Sequence, residues 1–199
     1  RDPSRSDVKA VFTGIRPLVK SGEGGNTAQL SRDHTIHITG SGLLTIVGGK
    51  WTTYRNMAED VVDHAQMLGE LDERPCTTRE LRIHGHHENA ERFGDLAGWG
   101  SDAPAVRELC DGTPGWGESL VPGLPYRLGQ VVWAARHEMA RTVEDVLARR
   151  TRALLLDARA SREAAPLVAR YLALELGRDE AWQREQVRVY NALVERYVV

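Results

Sequence analysis

Residues 42–63 read GLLTIVGGKWTTYRNMAEDVVD, and this stretch decides the fold. The apolar run at 43–47 is bounded by glycines, which is typical of a strand buried on both faces. After Gly48 and Gly49, apolar residues recur at three- and four-residue spacing, so residues 53–68 are predicted to form an amphipathic helix. The recurring residues are Tyr54, Met57, Val61, Ala65 and Leu68. The stretch therefore predicts a strand, a Gly-Gly turn and a helix.

The residues before this stretch predict two further strands. Residues 10–15 are a short β-prone run, and residues 35–39 alternate between apolar and polar side chains. Residues 21–27 read SGEGGNT and predict a flexible loop between them. The first 70 residues are accordingly predicted to be α/β.

The residues after this stretch predict an all-α region. Residues 70–78 are polar and contain Pro75, which favours a domain boundary there. Thr142 and Asp145 resemble a capping box, Gly177 a helix C-cap and Asp179 an N-cap. The last helix is expected to bury one face, formed by Trp182, Val189, Tyr190, Leu193 and Tyr197. The second half is therefore predicted to be helical.

Composition excludes several classes of function. The 199 residues include 26 basic and 28 acidic side chains, a net charge of −2, so no nucleic-acid partner is expected. Cys76 and Cys110 cannot form a disulfide framework, which favours a reducing compartment. No apolar run approaches the roughly 20 residues needed to cross a bilayer. We expect a cytoplasmic protein, and the polar start without Met is interpreted as that of a fragment.

The strand-to-helix junction is the first candidate site. A helix that starts near Thr52 leaves about four N–H groups without acceptors, and the glycines let a ligand approach the backbone. Lys50 adds a cation beside them, and Thr52 or Thr53 could cap the helix or donate to a ligand. The alternative is an ordinary tight turn that needs glycine for packing alone.

Two arginines form the second candidate site. Pro17 favours an extended Arg16, and Arg32 directly precedes a predicted strand. A guanidinium offers a planar fork of donors that suits phosphate or carboxylate. Each arginine taken alone is equally compatible with a surface salt bridge, with Asp33 as the natural partner of Arg32.

The remaining motifs carry less chemistry. His84, His86 and His87 lack the cysteine pair or HExxH pattern of a zinc site, so a polar loop is favoured there over a metal site. None of the G-x-G pairs has the third glycine of a dinucleotide fingerprint. Residues 149–152 read RRTR and are interpreted as a basic patch at a helix C-terminus.

Four motifs in a fixed order identify a family resemblance. The segments are TGIRPLV at 13–19, SRDHTI at 31–36, the stretch at 42–63, and EMARTVEDVLARRTRALLLDA at 138–158. Together they resemble the C-terminal part of FAD-dependent glycerol-3-phosphate dehydrogenase. The resemblance implies that residues 1–72 are an α/β remnant, made of the closing strands of a substrate domain and the last strand and helix of an FAD domain. Residues 79–199 would be an all-α C-terminal cap domain.

The resemblance also assigns roles to residues. Arg16 and Arg32 match arginines that hold the substrate phosphate, and Lys50 matches an active-site lysine. The general base is either Lys50 or a histidine outside this chain. The segment formed by Gly48, Gly49, Lys50, Trp51 and Thr52 matches the backbone that faces the flavin ring. Most of the residues that bind FAD would lie outside this chain, so the isolated chain is expected to be inactive.

The implied activity is oxidation of sn-glycerol 3-phosphate to dihydroxyacetone phosphate. A hydride passes from C2 to flavin N5, and the electrons pass to the quinone pool or, in oxidase relatives, to oxygen. Implied partners are glycerol 3-phosphate, quinone and a homo-oligomer, with a peripheral place at the inner face of the cytoplasmic membrane left open. Two alternatives remain open: a non-catalytic helical interaction module, and an FAD-dependent oxidase of the amino-acid oxidase superfamily.

Overall fold

The computed structural model describes residues 2–15, 33–121 and 123–199, which form two compact units. The first, here called the sheet–helix unit, is Gly14–Ile83. The second, here called the helical unit, combines Arg1–Thr13 with His84–Val199. The chain is thus mostly helical, with a small two-stranded sheet.

The sheet–helix unit contains the predicted strand, turn and helix. Strand β1 (His34–Ile38) pairs antiparallel with β2 (Leu44–Gly48), so that His34 lies opposite Gly48 and Ile38 opposite Leu44. A short 3-10 turn at Trp51–Thr53 leads into helix α1, Tyr54–Leu68. The predictions of a strand near 35–39 and a helix at 53–68 are confirmed.

The prediction that residues 43–47 are buried on both faces is wrong for this chain. Leu44 and Ile46 are half-buried, whereas Leu43 and Val47 are exposed over 63% and 37% of their surface. The described part of the sheet has two strands, and β2 packs against α1. A strand in such a sheet has one covered face, so the continuous apolar run leaves its other face in solvent.

The prediction of a strand at residues 10–15 is also wrong. The backbone groups of this segment pair with the helical unit: Val11 N–H donates to the carbonyl of Tyr197 at 2.9 Å, and the preceding Lys9 carbonyl accepts from Ala158 N–H at 3.0 Å. Phe12 and Ile15 are exposed over 72% and 97% of their surface. A β-prone run forms a strand only where another strand pairs with it, and here the backbone of residues 9 and 11 bonds to the helical unit.

The helical unit contains five α-helices in its described residues. A stretch of 3-10 turns, Ala90–Asp102, leads into them and is interrupted at Gly94 and Gly100. A π-helical turn, Asp145–Arg150, precedes the fourth helix of the chain. The α-helices are α2 (Ala103–Gly112), α3 (Gly129–His137), α4 (Ala153–Leu156), α5 (Ala158–Leu176) and α6 (Glu180–Val194).

Helix α5 supplies the centre of the main core. It packs against α3, α4 and α6 through a buried face. Most of that face consists of small side chains, which lets the neighbouring helices approach closely. The buried α5 residues are Ala158, Ser161, Ala164, Ala165, Val168, Ala169, Leu172 and Ala173.

The helix ends follow the sequence signals. Asp145 Oδ2 accepts from Thr142 N–H at 3.0 Å, and Thr142 Oγ1 accepts from Asp145 N–H at 3.1 Å, which is the predicted capping box. Asp179 caps α6 by accepting from Trp182 N–H at 2.8 Å, and Gly177 adopts the left-handed conformation. The face of α6 centres on buried Tyr190, so the prediction for Val189 is wrong: it lies at the edge, 44% exposed.

Among the described residues, no helix is both long enough and apolar enough to cross a membrane.

A buried hydrogen bond between α5 and α6 gives the first prediction. Tyr190 Oη lies 2.8 Å from Ser161 Oγ, and Ser161 also contacts the Ala158 carbonyl. Tyr190→Phe should lower the free energy of unfolding of the helical unit by about 1 kcal/mol. Tyr171→Phe is the control, because Tyr171 packs against the same core and has no hydroxyl partner in the described chain. Equal urea midpoints for the two variants would contradict this account.

The same tyrosine gives a pH dependence with a fixed sign. Burial raises the pKa of Tyr190 far above its ordinary value of 10.0, although the Ser161 hydrogen bond lowers it in part. The folded state therefore holds the phenol proton more tightly, so this stabilisation is complete below pH 10 and is lost as pH rises above it. Wild type should lose unfolding free energy above pH 10 more steeply than Tyr190→Phe.

Candidate functional site

The Gly48–Gly49 pair turns the chain from β2 toward α1. Both residues have left-handed backbone angles, with φ of 78° and 83°. Side chains other than glycine rarely adopt this conformation. A Cβ on Gly49 would also lie 2.4 Å from Met57 Sδ and 3.4 Å from His34 Cβ. Glycine at position 49 is thus required by backbone conformation and by close packing on α1.

The turn presents donors that have no acceptor in the described chain. The N–H groups of Lys50, Trp51 and Thr52 make no hydrogen bond to any described residue. The next N–H, of Thr53, donates to the Lys50 carbonyl at 3.0 Å, and its hydroxyl does the same. Thr53 therefore closes the 3-10 turn, and the exposed Thr52 is left to face solvent or a ligand.

Lys50 holds the cation of this junction. Its backbone is extended, with φ of −120° and ψ of 147°, and its side chain is exposed. The ammonium makes no ion pair or hydrogen bond with the residues that the structure describes. A free cation next to unpaired N–H groups favours an electron-rich oxygen. The predicted residues Gly48 to Thr52 thus lie in one turn between β2 and α1, and their role as a site stays a prediction.

Two aromatic side chains flank the lysine on its helix side. The Trp51 and Tyr54 rings lie 5.6 Å apart between centroids, tilted by 30°. Trp51 is 86% exposed and Tyr54 58% exposed. Exposed rings of this size beside polar donors are typical of surfaces that bind a ligand or another part of a protein.

His34 next to the turn is hydrogen-bonded to a residue of α1, a partner that the sequence did not predict. His34 Nε2 lies 2.7 Å from Asp60 Oδ2 on α1, while Asp60 also contacts His64 at 3.4 Å. Because His34 lies opposite Gly48 in the sheet, this pair ties β1, the turn and α1 together. The two residues are 26 positions apart, which no local pattern reveals.

The two arginines of the second candidate site, Arg16 and Arg32, lie outside the described residues. The structure therefore neither joins them to Lys50 nor separates them from it, and their role stays a prediction.

Two side chains of the histidine-rich segment contact other residues of the helical unit. His84 Nε2 lies 2.6 Å from Asp102 Oδ2, and the His87 ring packs edge-on to Phe93 with centroids 4.8 Å apart. In the described ranges, no group of three or more histidine, cysteine or acidic side chains is arranged to hold a metal ion.

A family model matches residues 41–183 of the chain, and its description is the C-terminal domain of alpha-glycerophosphate oxidase. The chain belongs to this family. The match covers well over half of the chain, including the Gly48–Thr52 segment and most of the helical unit.

Relatives and a solved structure give the same assignment. The chain is 36% identical to a protein named as a mitochondrial glycerol-3-phosphate dehydrogenase from Caenorhabditis elegans, over 96% of the chain and 29% of the relative. It is 35% identical to the mitochondrial glycerol-3-phosphate dehydrogenase of Rattus norvegicus, over 92% of the chain and 28% of the relative.

The structural match is to the glycerol-3-phosphate dehydrogenase from Bacillus halodurans complexed with FAD. It has a TM-score of 0.71 and 26% sequence identity, and it covers 99% of this chain and 42% of that one. The chain thus spans less than half the length of the proteins it matches.

The turn geometry gives a second prediction. Gly49→Ala should lower the opening free energy of the sheet–helix unit by about 1 to 2 kcal/mol, because Ala resists a positive φ and displaces Met57. Hydrogen exchange of the β1 and β2 amides measures this quantity.

Two controls separate the causes. Gly40→Ala should change little, since a Cβ there has open space and its φ is not left-handed. Gly42→Ala should lower the same opening free energy by about 1 kcal/mol through backbone strain alone. Its φ is 83°, and a Cβ there would have open space. If Gly49→Ala behaves like Gly40→Ala, the constraint on the turn does not exist.

Proposed function

We propose that this chain is the C-terminal part of an FAD-dependent glycerol-3-phosphate dehydrogenase. The enzyme oxidises sn-glycerol 3-phosphate to dihydroxyacetone phosphate and passes the electrons to quinone. The observation that carries the proposal is the Gly48–Thr52 segment, in which three N–H groups and the Lys50 ammonium have no partner among the described residues. The relatives' names support the substrate, and the FAD-bound structure supports the cofactor.

The donors of this segment fit one edge of a flavin. FAD, when bound, supplies the acceptor for the hydride. The N–H groups of Lys50, Trp51 and Thr52 would stabilise negative charge at the pyrimidine edge of the ring. The rest of the dinucleotide needs a Gly-rich loop that binds its phosphates, and the sequence contains no complete G-x-G-x-x-G motif for such a loop. We therefore assign this chain one face of the FAD site and expect the isolated chain to be inactive.

The cations of the chain act on the substrate. Arg16 and Arg32 would hold the phosphate by charge-assisted hydrogen bonds, which orients C2 toward the flavin. The Lys50 side chain would lie at the substrate oxygen, where its ammonium would stabilise negative charge, and only its neutral amine could take the hydroxyl proton. His34 and Asp60 would act indirectly, by fixing the backbone that carries Lys50.

The domain assignment follows the same reasoning. Residues 1–72 would complete the interleaved substrate and FAD domains, and residues 79–199 would form the helical cap. The apolar side chains exposed on the sheet–helix unit suit a surface covered by the rest of such an enzyme. They include Ile38, Leu43, Val47, Trp51, Tyr54, Val62 and Met67.

Kinetics of the full-length enzyme test the proposal. Lys50→Met should lower kcat/KM for glycerol 3-phosphate by about 100-fold or more, because it removes a charge at the reacting oxygen. Arg16→Ala and Arg32→Ala should each raise KM about 10- to 100-fold, the value of a charge-assisted hydrogen bond. Lys9→Met is the charge-matched control, since Lys9 pairs with Asp157 in the helical unit. Unchanged constants in the Lys50 and arginine variants would refute the proposed site.

A second candidate concerns the electron acceptor. The matching family model is described for an alpha-glycerophosphate oxidase, which favours oxygen rather than quinone in part of the family. The same enzyme preparation distinguishes the two acceptors. Stoichiometric hydrogen peroxide with glycerol 3-phosphate would identify an oxidase, and turnover only with a quinone analogue would identify a dehydrogenase.

A further inference from the structure

A cleft of about 350 Å³ opens in the helical unit, well away in sequence from the Lys50 segment. All three arginines of the RRTR motif line it, together with Trp99, Tyr126 and Pro125. A volume of this order is at the lower end of the range for small-ligand sites. The motif interpreted from sequence as a solvated patch is therefore part of a concave surface.

Two of the three arginines make ion pairs or hydrogen bonds within the helical unit. Arg149 pairs with Glu144 at 2.5 Å and with Asp145 at 3.0 Å. Arg150 donates through Nε to the Glu138 carbonyl at 3.1 Å and through a second nitrogen to the same oxygen. Both side chains are thus held in fixed positions at the cleft wall.

The third arginine, Arg152, differs in two respects. Its guanidinium makes no hydrogen bond or ion pair with the described residues, although it lies close enough to Tyr126 to lower the pKa of that phenol against the larger effect of burial. Its backbone is left-handed, with φ of 59° and ψ of 20°. A left-handed conformation costs a residue with a Cβ about 1 kcal/mol, so such positions often mark a functional constraint.

The neighbouring turn fixes this strained backbone. Thr151 is buried, and its hydroxyl donates to the Val146 carbonyl at 2.9 Å while its N–H donates to the same oxygen at 2.9 Å. Arg152 follows directly and precedes helix α4. The fold therefore holds an unpaired guanidinium at the cleft by means of a rigid turn.

The cleft also contains two acidic side chains. Asp95 and Glu138 line it with the three arginines. Burial raises the pKa of Glu138, while Trp99, Arg150 and Trp133 lower it in part. Arg150 bonds the backbone carbonyl of Glu138, and among the three arginines Arg152 is the one without a hydrogen-bond or ion-pair partner in the described residues.

We propose that this cleft binds a phosphate group through Arg152, with Arg149 and Arg150 adding positive charge. A guanidinium matches phosphate geometry, and the aromatic wall of Trp99 and Tyr126 suits the apolar remainder of a phosphate ester. The source is either a soluble phosphate ester or a phospholipid headgroup. The site is distinct from the Lys50 segment, so it does not depend on the proposed oxidation.

Titration of the 199-residue chain with inorganic phosphate tests the site. Isothermal calorimetry and melting of the helical unit should show saturable binding that sodium chloride at equal ionic strength does not reproduce. Arg152→Gly should weaken phosphate binding at least about tenfold. Without phosphate, the same variant should melt about 2 °C higher, because glycine relieves the left-handed strain.

Met139→Gly is the matched control. Met139 also has a left-handed backbone, with φ of 55°, is 76% exposed and does not line the cleft. The Met139→Gly substitution should raise the melting temperature by a similar amount and leave phosphate affinity unchanged. Equal phosphate affinity in wild type and Arg152→Gly would overturn the proposal, as would a response to phosphate no larger than that to chloride.

A vesicle experiment separates the two sources of phosphate. The chain is sedimented with phosphatidylcholine vesicles that contain or lack phosphatidic acid, with Arg152→Gly in parallel. Binding to phosphatidic acid that inorganic phosphate displaces and Arg152→Gly abolishes would support the site and identify a headgroup. Phosphate binding without vesicle binding would support the site and identify a soluble ester. If Arg152→Gly keeps both phosphate binding and vesicle binding, the proposal is overturned.

Discussion

The helical unit depends on the burial of one face of α5. That face is built mainly from alanines, with Val168 and Leu172 as its larger members, and three other helices pack on it. Small side chains let the helices approach closely, and the Ser161–Tyr190 hydrogen bond pairs the two hydroxyls buried between α5 and α6. The N-terminal residues 9 and 11 bond to the ends of the same helices, which adds Arg1–Thr13 to this unit.

The sheet–helix unit depends on a different constraint, the two left-handed glycines. They let β2 turn into α1 with the backbone of Gly49 against Met57, and the His34–Asp60 pair holds the other side of the turn. Among the described residues, the N–H groups of Lys50, Trp51 and Thr52 have no acceptor, and the Lys50 ammonium beside them has no partner.

The sequence predicted the local features well and the tertiary ones poorly. Strand β1, helix α1, the Thr142–Asp145 capping box and the caps at Gly177 and Asp179 follow from neighbouring residues, so short-range patterns revealed them. The errors at residues 10–15 and at the faces of 43–47 arose because partners distant in sequence decide strand pairing and burial. The His34–Asp60 pair and the Arg152 cleft were missed for the same reason, since neither has a local signature.

The central claim is that Lys50, Arg16 and Arg32 converge on one substrate beside the flavin. A crystal structure of the full-length enzyme with FAD and dihydroxyacetone phosphate tests it most directly. The account predicts both guanidiniums within hydrogen-bond distance of the phosphate, about 3 Å, and the Lys50 segment against the flavin ring. Guanidiniums on the opposite side of the protein from the Lys50 ammonium, in an intact fold with bound ligand, would contradict it.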